Sequence, residues 1–232
     1  MQTVHTEAGD IRARAVVIAS GAAYRRIGVP AIEAFTGRGV SYGSAMTSAR
    51  EMAGRDVVVV GGGNSAGQAA LHLARFARSV TIVVRREGLE ATMSRYLIDE
   101  IASNGRVAVL PCTQVVAGGG TNRLEWIELR DEITGEVSRR SCDGLYLLIG
   151  ADPKCGWLPP EVALDRRGFV LTGRDIPPAA WTGELPPESL ATSAPGIFAV
   201  GDVRSGSMKR VAAASGEGSS VVPLVHAYIA SM

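Results

Sequence analysis

The sequence is poor in aromatic residues, 5% of 232 positions, and it holds only three cysteines. Cys112, Cys142 and Cys155 stand 30 and 13 residues apart, a set with neither metal-ligand nor redox-pair spacing. Three buried thiols in a reducing compartment are expected, and no metal site. Charge of one sign is also missing. Lys and Arg number 24 against 23 Asp and Glu, so the net charge of +1 provides no field to draw in nucleic acid or an anionic membrane. No apolar run reaches the roughly 18 residues of a membrane span. The opening Met1-Gln2-Thr3-Val4-His5 lacks the basic and apolar regions of a secretion signal, and a cytoplasmic location is expected.

What the sequence has is glycine, 28 residues, within a chain that is 46% hydrophobic and 20% charged. That balance supports a buried core, and the glycines imply many close backbone approaches. Val- and Ile-rich runs recur at 15–19, 57–60, 80–84, 107–110, 145–149 and 197–200. Several are continuous rather than alternating, which predicts strands covered on both faces. Helical patterns over 65–77, 94–103 and 209–230 alternate with them, so the fold class is α/β with a parallel sheet. Residues 124–130 and 137–141, joined by a polar turn, predict an antiparallel excursion. Paired prolines at 159–160, 177–178 and 186–187 predict irregular connections.

The strand at 57–60 runs into Gly61-Gly62-Gly63-Asn64-Ser65-Ala66 and then a helix. This is the strand, G-x-G-x-x-A, helix arrangement of a Rossmann-like dinucleotide site. Gly61 permits the tight turn, Gly63 the approach of a pyrophosphate, and Ala66 close helix–strand packing. The amides and dipole of the helix start attract the anion. The next strand ends in Arg85-Arg86, where an NAD site would offer a carboxylate to the ribose. Two guanidinium groups suit a 2′-phosphate, so NADPH is expected, with Ser94 and Arg95 as further donors. Gly63-Asn64-Ser65-Ala66-Gly67 also fits G-x-S-x-G, with Asp202 and His226 following in hydrolase order. Against a serine hydrolase using Ser65 stand the few strands preceding the motif and the placement of His226 inside a helical pattern. A module that binds NADPH without turnover is another alternative.

The chain resembles the NADPH-dependent flavoprotein disulfide reductases of the thioredoxin reductase type. The resemblance rests on Ala15 to Ala22, Gly37-Arg38-Gly39-Val40-Ser41, the 61–66 turn with Arg85-Arg86, and Pro195 to Val203, in the family's order along nearly the whole chain. It implies an NADPH-binding domain, 39–150, inserted in a partial FAD-binding domain, 1–38 and 151–232. Asp202 would hold the ribityl hydroxyls of FAD, with Gly201 allowing close approach. Arg210, Val211 and Ala212 would face the flavin pyrimidine edge at a helix N-terminus, and Gly150 belongs to the implied cofactor set. The implied activity passes hydride from NADPH to flavin in an enzyme that is a homodimer at full length.

Two departures shape that expectation. Gly43 and Met46 stand where the family carries its redox Cys-x-x-Cys, so no dithiol relay is expected and no catalytic residue is assigned. No FAD-pyrophosphate glycine turn precedes Ala15, which makes the chain resemble the carboxyl-terminal portion of a longer enzyme. Glu90 also falls where the family often has another Arg. Cysteine-free relatives include ferredoxin or flavodoxin NADP reductases and proteins joined to a cyclic-nucleotide-binding domain, and 208–219 resembles the latter most. The electron acceptor is not legible.

Overall fold

The computed structural model describes residues 1–43 and 49–232. In chain order the strands are β1 (Gln2–Thr6), β2 (Gly9–Ala13), β3 (Val16–Ile18), β4 (Ala23–Tyr24), β5 (Val40–Tyr42), β6 (Asp56–Val60), β7 (Ser79–Val83), β8 (Val107–Leu110), β9 (Thr113–Gly119), β10 (Trp126–Asp131), β11 (Val137–Ser141), β12 (Gly144–Leu147), β13 (Ala151–Asp152) and β14 (Ile197–Ala199). The α-helices are α1 (Pro30–Glu33), α2 (Asn64–Ala74), α3 (Arg95–Ser103) and α4 (Val211–Ala230). Two compact units result, one from 24–150 and one from 1–23 together with 151–232.

The central unit is built on a five-stranded, all-parallel sheet in the order β5-β12-β6-β7-β8. Side chains of a strand alternate between its faces, so the continuous run on β6 feeds two cores. Val57 and Val59 pack with Ala66, Ala70 and Leu73 of α2 and Leu97 and Ile101 of α3. Val58 and Val60 pack with Val115 of β9 and with Ile127 and Leu129 of β10. The second layer is an antiparallel sheet ordered β11-β10-β9. It contains the expected excursion plus β9, whose pairing with β10 shifts register between Glu128 and Leu129.

The central compact unit takes in residues 24–38 as well as 39–150. Ile32 is fully buried in its second core, with Ile27, Val29 and Phe35 packed against that core. A Cβ on Gly118 would stand 2.9 Å from Ile32 Cγ1, so the glycine leaves room for this segment.

In the other unit, β1 and β2 form an antiparallel hairpin and β3 pairs in parallel with β14. Ile18, Val162, Val170, Ala199 and Val203 make one core, and Leu190, Phe198, Val200 and Val221 another. Helix α4 buries only Val221 and contains Pro223. Tyr228 from its last turns meets Phe198 edge to face at 6.2 Å. Cys142 and Cys155 are buried as expected, but Cys112 is only half-buried because it turns a corner at φ +47° between Arg86 and Glu132. Among the described residues no helix is long and apolar enough to cross a membrane, and no acidic, His or Cys cluster could hold a metal.

Candidate functional site

The glycine turn sits at the carboxyl end of β6, in the middle of the parallel sheet. Gly61 has φ +144°, and its amide donates to the Val83 carbonyl at 3.1 Å. A Cβ there would overlap the Leu148 carbonyl oxygen, so this position needs glycine for conformation and for space. Gly62 is fixed by Thr92, whose hydroxyl donates to the Gly62 carbonyl at 2.7 Å. Gly63 is the extended N-cap of α2, with nothing nearer to its missing Cβ than the Thr92 carbonyl at 3.9 Å. No side chain caps α2; the Ala66 and Gly67 amides bond back to the Gly63 carbonyl at 2.9 and 3.2 Å, which leaves the Asn64 and Ser65 amides at the helix start without an intrahelical acceptor. Ala66 is fully buried beneath the turn.

The Asn64 side chain closes one wall. Its amide donates to Ser94 Oγ at 2.9 Å and its carbonyl accepts from the Ser94 amide at 2.7 Å. The Ser94 hydroxyl is therefore tied to Asn64, and Arg95 is ion-paired with Asp99, so these two expected extra donors serve the local structure. Arg85 and Arg86 follow β7 on the exposed side of a bend and make no ion pair with any described residue. Thr92 and Asn64 as a bracing pair are visible only in the fold, because they stand 28 residues apart in sequence.

Ser65 is exposed in the first turn of α2. Cys112 is the only described non-glycine residue at positive φ, so Ser65 lacks the strained backbone of a nucleophile elbow. His226 is an exposed residue of α4. The hydrolase alternative has no local geometry behind it.

In the other unit, Gly201 has φ +73° and opens a short 3-10 turn with Asp202 and Val203 after β14. The Gly201 amide is taken by Glu217 Oε2 at 2.7 Å, a residue of α4 that sequence reasoning overlooked. Arg204 donates to the same carboxylate at 3.2 Å through Nε and 2.5 Å through Nη2. This bond, foremost, holds the Glu217 carboxyl below its usual range. Asp202 is half-buried and forms no ion pair with a described residue. Arg210 is the extended N-cap of α4, without a side-chain cap, and the Ala214 amide bonds back to its carbonyl at 3.0 Å. The amides of Val211 and Ala212 precede that bond and have no intrahelical acceptor. Lys209 stacks over Phe169 at 4.1 Å, and burial lowers its pKa.

Gly43, at one cysteine position of the resemblance, has φ +82°, and the Tyr24 hydroxyl stands 2.6 Å from where its Cβ would be. A side chain at position 43 would require the exposed Tyr24 ring to move aside. Met46 lies outside the described residues. Gly150, exposed at φ +97°, ends the central unit and accepts a hydrogen bond from the Arg25 amide at 3.0 Å.

A parallel sheet with an open glycine turn at its centre defines an α/β protein. Residues 1–218 match the family described as pyridine nucleotide-disulphide oxidoreductase, and the chain belongs to that family. It is homologous to thioredoxin reductases. It is 36% identical over 208 residues to the thioredoxin reductase of Mycolicibacterium smegmatis, covering 89% of this chain and 61% of that one. The Streptomyces clavuligerus thioredoxin reductase is 32% identical over the whole chain and 67% of its own length. Among solved structures, thioredoxin reductase from Streptococcus pyogenes superposes with a TM-score of 0.76 at 32% identity, over 99% of this chain and 70% of its own. The Lactococcus lactis enzyme gives 0.75 at 26% identity, over 99% and 71%. The chain thus spans 61–68% of the length of these and the other leading curated thioredoxin reductases it matches.

Proposed function

We propose that the chain forms part of an FAD-dependent oxidoreductase of the thioredoxin reductase type that takes hydride from NADPH and delivers electrons without an internal dithiol. Gly61, Gly62, Gly63, Asn64, Ser65 and Ala66 hold the NADPH pyrophosphate, Arg85 and Arg86 the 2′-phosphate. Gly201 and Asp202 address the ribityl chain of FAD, and Arg210, Val211 and Ala212 the pyrimidine edge of the flavin; Gly150 belongs to the cofactor set. The observation that carries the reading is the open cradle at Gly61 to Ala66, a turn only glycine can make, with two uncompensated arginines on the following strand. When bound, the nicotinamide supplies a hydride and the flavin accepts it. The chain's own part is to bind and orient. The α2 amides neutralise a pyrophosphate, and the unpartnered amides of the α4 start favour negative charge on a reduced flavin.

The acceptor is a group other than a thioredoxin disulfide, because glycine and methionine stand at positions 43 and 46, where the family carries its redox cysteines. The test is a titration of the purified protein with NADPH and NADH. Charge-assisted contacts of about 1.5–3 kcal/mol each correspond to at least tenfold preference for NADPH, lost in an Arg85→Ala, Arg86→Ala double variant. Equal dissociation constants for the two cofactors would remove the NADPH assignment. A flavin absorbance band separates an oxidoreductase from a module that only binds NADPH.

A further inference from the structure

At the end of the central sheet opposite the glycine turn, where β5 and β12 begin, a cleft of about 310 Å³ opens between Arg38, Glu51, Met52, Asn122, Arg123 and Tyr146. Its two guanidinium groups are held by neutral acceptors. Arg38 donates to the carbonyls of Asn122 at 3.2 Å and Ala34 at 2.9 Å, and Arg123 to the carbonyl of Asp143 at 2.6 Å. Neither forms an ion pair with a described carboxylate. Arg123 Nε is closed to solvent and has no hydrogen-bond partner, so this guanidinium is incompletely satisfied by its own surroundings. Backbone carbonyls fix the positions of both cations without cancelling their charge, which is how a site for an anion is preorganised. The Glu51 carboxylate lines the same cleft and has no cation of its own among the described residues. A bare anion would be repelled by it, whereas a ligand with a donor group would satisfy both ends.

We propose that this cleft binds a small carboxylate that also carries a hydrogen-bond donor, its acid group on Arg38 and Arg123 and its donor on Glu51. The site lies across the sheet from the nucleotide cradle and is independent of the function proposed above. The probes are glycolate, acetate and sodium chloride at matched ionic strength, added to the full chain and followed by 1H–15N chemical shifts. Glycolate is expected to saturate, to bind more tightly than acetate, and to lose at least tenfold in affinity in Arg123→Gln and in the more exposed Arg38→Gln variant. Glu51→Gln should narrow the gap between glycolate and acetate. Urea unfolding of the same variants checks that the central unit is intact. Shifts with glycolate no larger than with chloride, or unchanged affinity in both arginine variants, would overturn the proposal.

Discussion

At Gly61 two demands meet, a positive φ and the carbonyl of Leu148 against its α-carbon. Alanine would have to adopt a backbone that L-residues avoid and displace a strand end, each at about 1–3 kcal/mol. Gly61→Ala should therefore lower the denaturation midpoint of the central unit and weaken NADPH binding together, in a urea titration followed with and without cofactor. Ala66 tolerates no larger side chain for the same packing reason, since it is fully buried under the turn. The cysteines divide by environment. Burial pushes the Cys142 thiol up to about 12, and burial raises that of Cys155 as well. Cys112 alone is half-buried. Because the thiolate is the reactive form, native protein at neutral pH should take up one equivalent of a thiol reagent rapidly, at Cys112. Mass spectrometry of the labelled peptides checks this, and rapid labelling of Cys142 would contradict it.

The elements are tied by carboxylates whose bonds outlast their solvent exposure. Asp56 at the start of β6 accepts from Arg78 and from Ser79 Oγ, and those bonds lower its pKa. Asp143 closes the same end, its carboxylate accepting the Asp56 amide at 3.0 Å. In the other unit Arg204 lowers the pKa of Glu217. A carboxyl with a depressed folded pKa adds stability above its unfolded pKa of about 4 and loses it as pH falls through the folded value. Stability should accordingly be flat from neutral pH to about 5 and fall on further acidification. Asp56→Asn should flatten the acid limb of the central unit and Glu217→Gln that of the other, as measured by urea unfolding at a series of pH values. The same elements show what sequence can tell. The valines of β6, β7 and β8 announce a doubly covered sheet, since both faces need apolar side chains. The hairpin β1–β2 is silent, because Thr3, His5, Gly9, Asp10 and Arg12 are exposed and no face is buried. Strand β9 is silent for another reason. Its bulge against β10 breaks the two-residue period, and Gly118 and Gly119 offer room to Ile32 and Trp126 rather than side chains of their own. The glycine turn and the start of α2 were legible as a contiguous motif. Thr92, Tyr24 and Glu217 were not, because each acts on a residue distant in sequence.

For the molecule as a whole, the discontinuity of one unit matters most. Residues 1–23 and 151–232 share their contacts, while 24–150 hold a complete parallel sheet with two cores. A chain restricted to 24–150 should fold independently and bind NADPH with the affinity of the whole protein, a comparison that needs only the two purified proteins and a fluorescence titration. Failure of that fragment to fold would show that the central unit depends on the strands outside it.

The Arg25 amide bonds the Gly150 carbonyl at 3.0 Å, so the central unit returns the chain to where it left. Bringing β3 to β14 from an unfolded chain means closing a loop of well over a hundred residues, an entropic cost of about 4 kcal/mol. Once the central unit has folded, the loop left to close shrinks to the segments on either side of it, roughly 50 residues, and the entropic cost falls by about 1 kcal/mol. The order of events follows. During synthesis β3 must wait, unpaired, until Ile197 to Ala199 leave the ribosome, and the inserted unit, folding in the interval, shortens the loop that this pairing has to close.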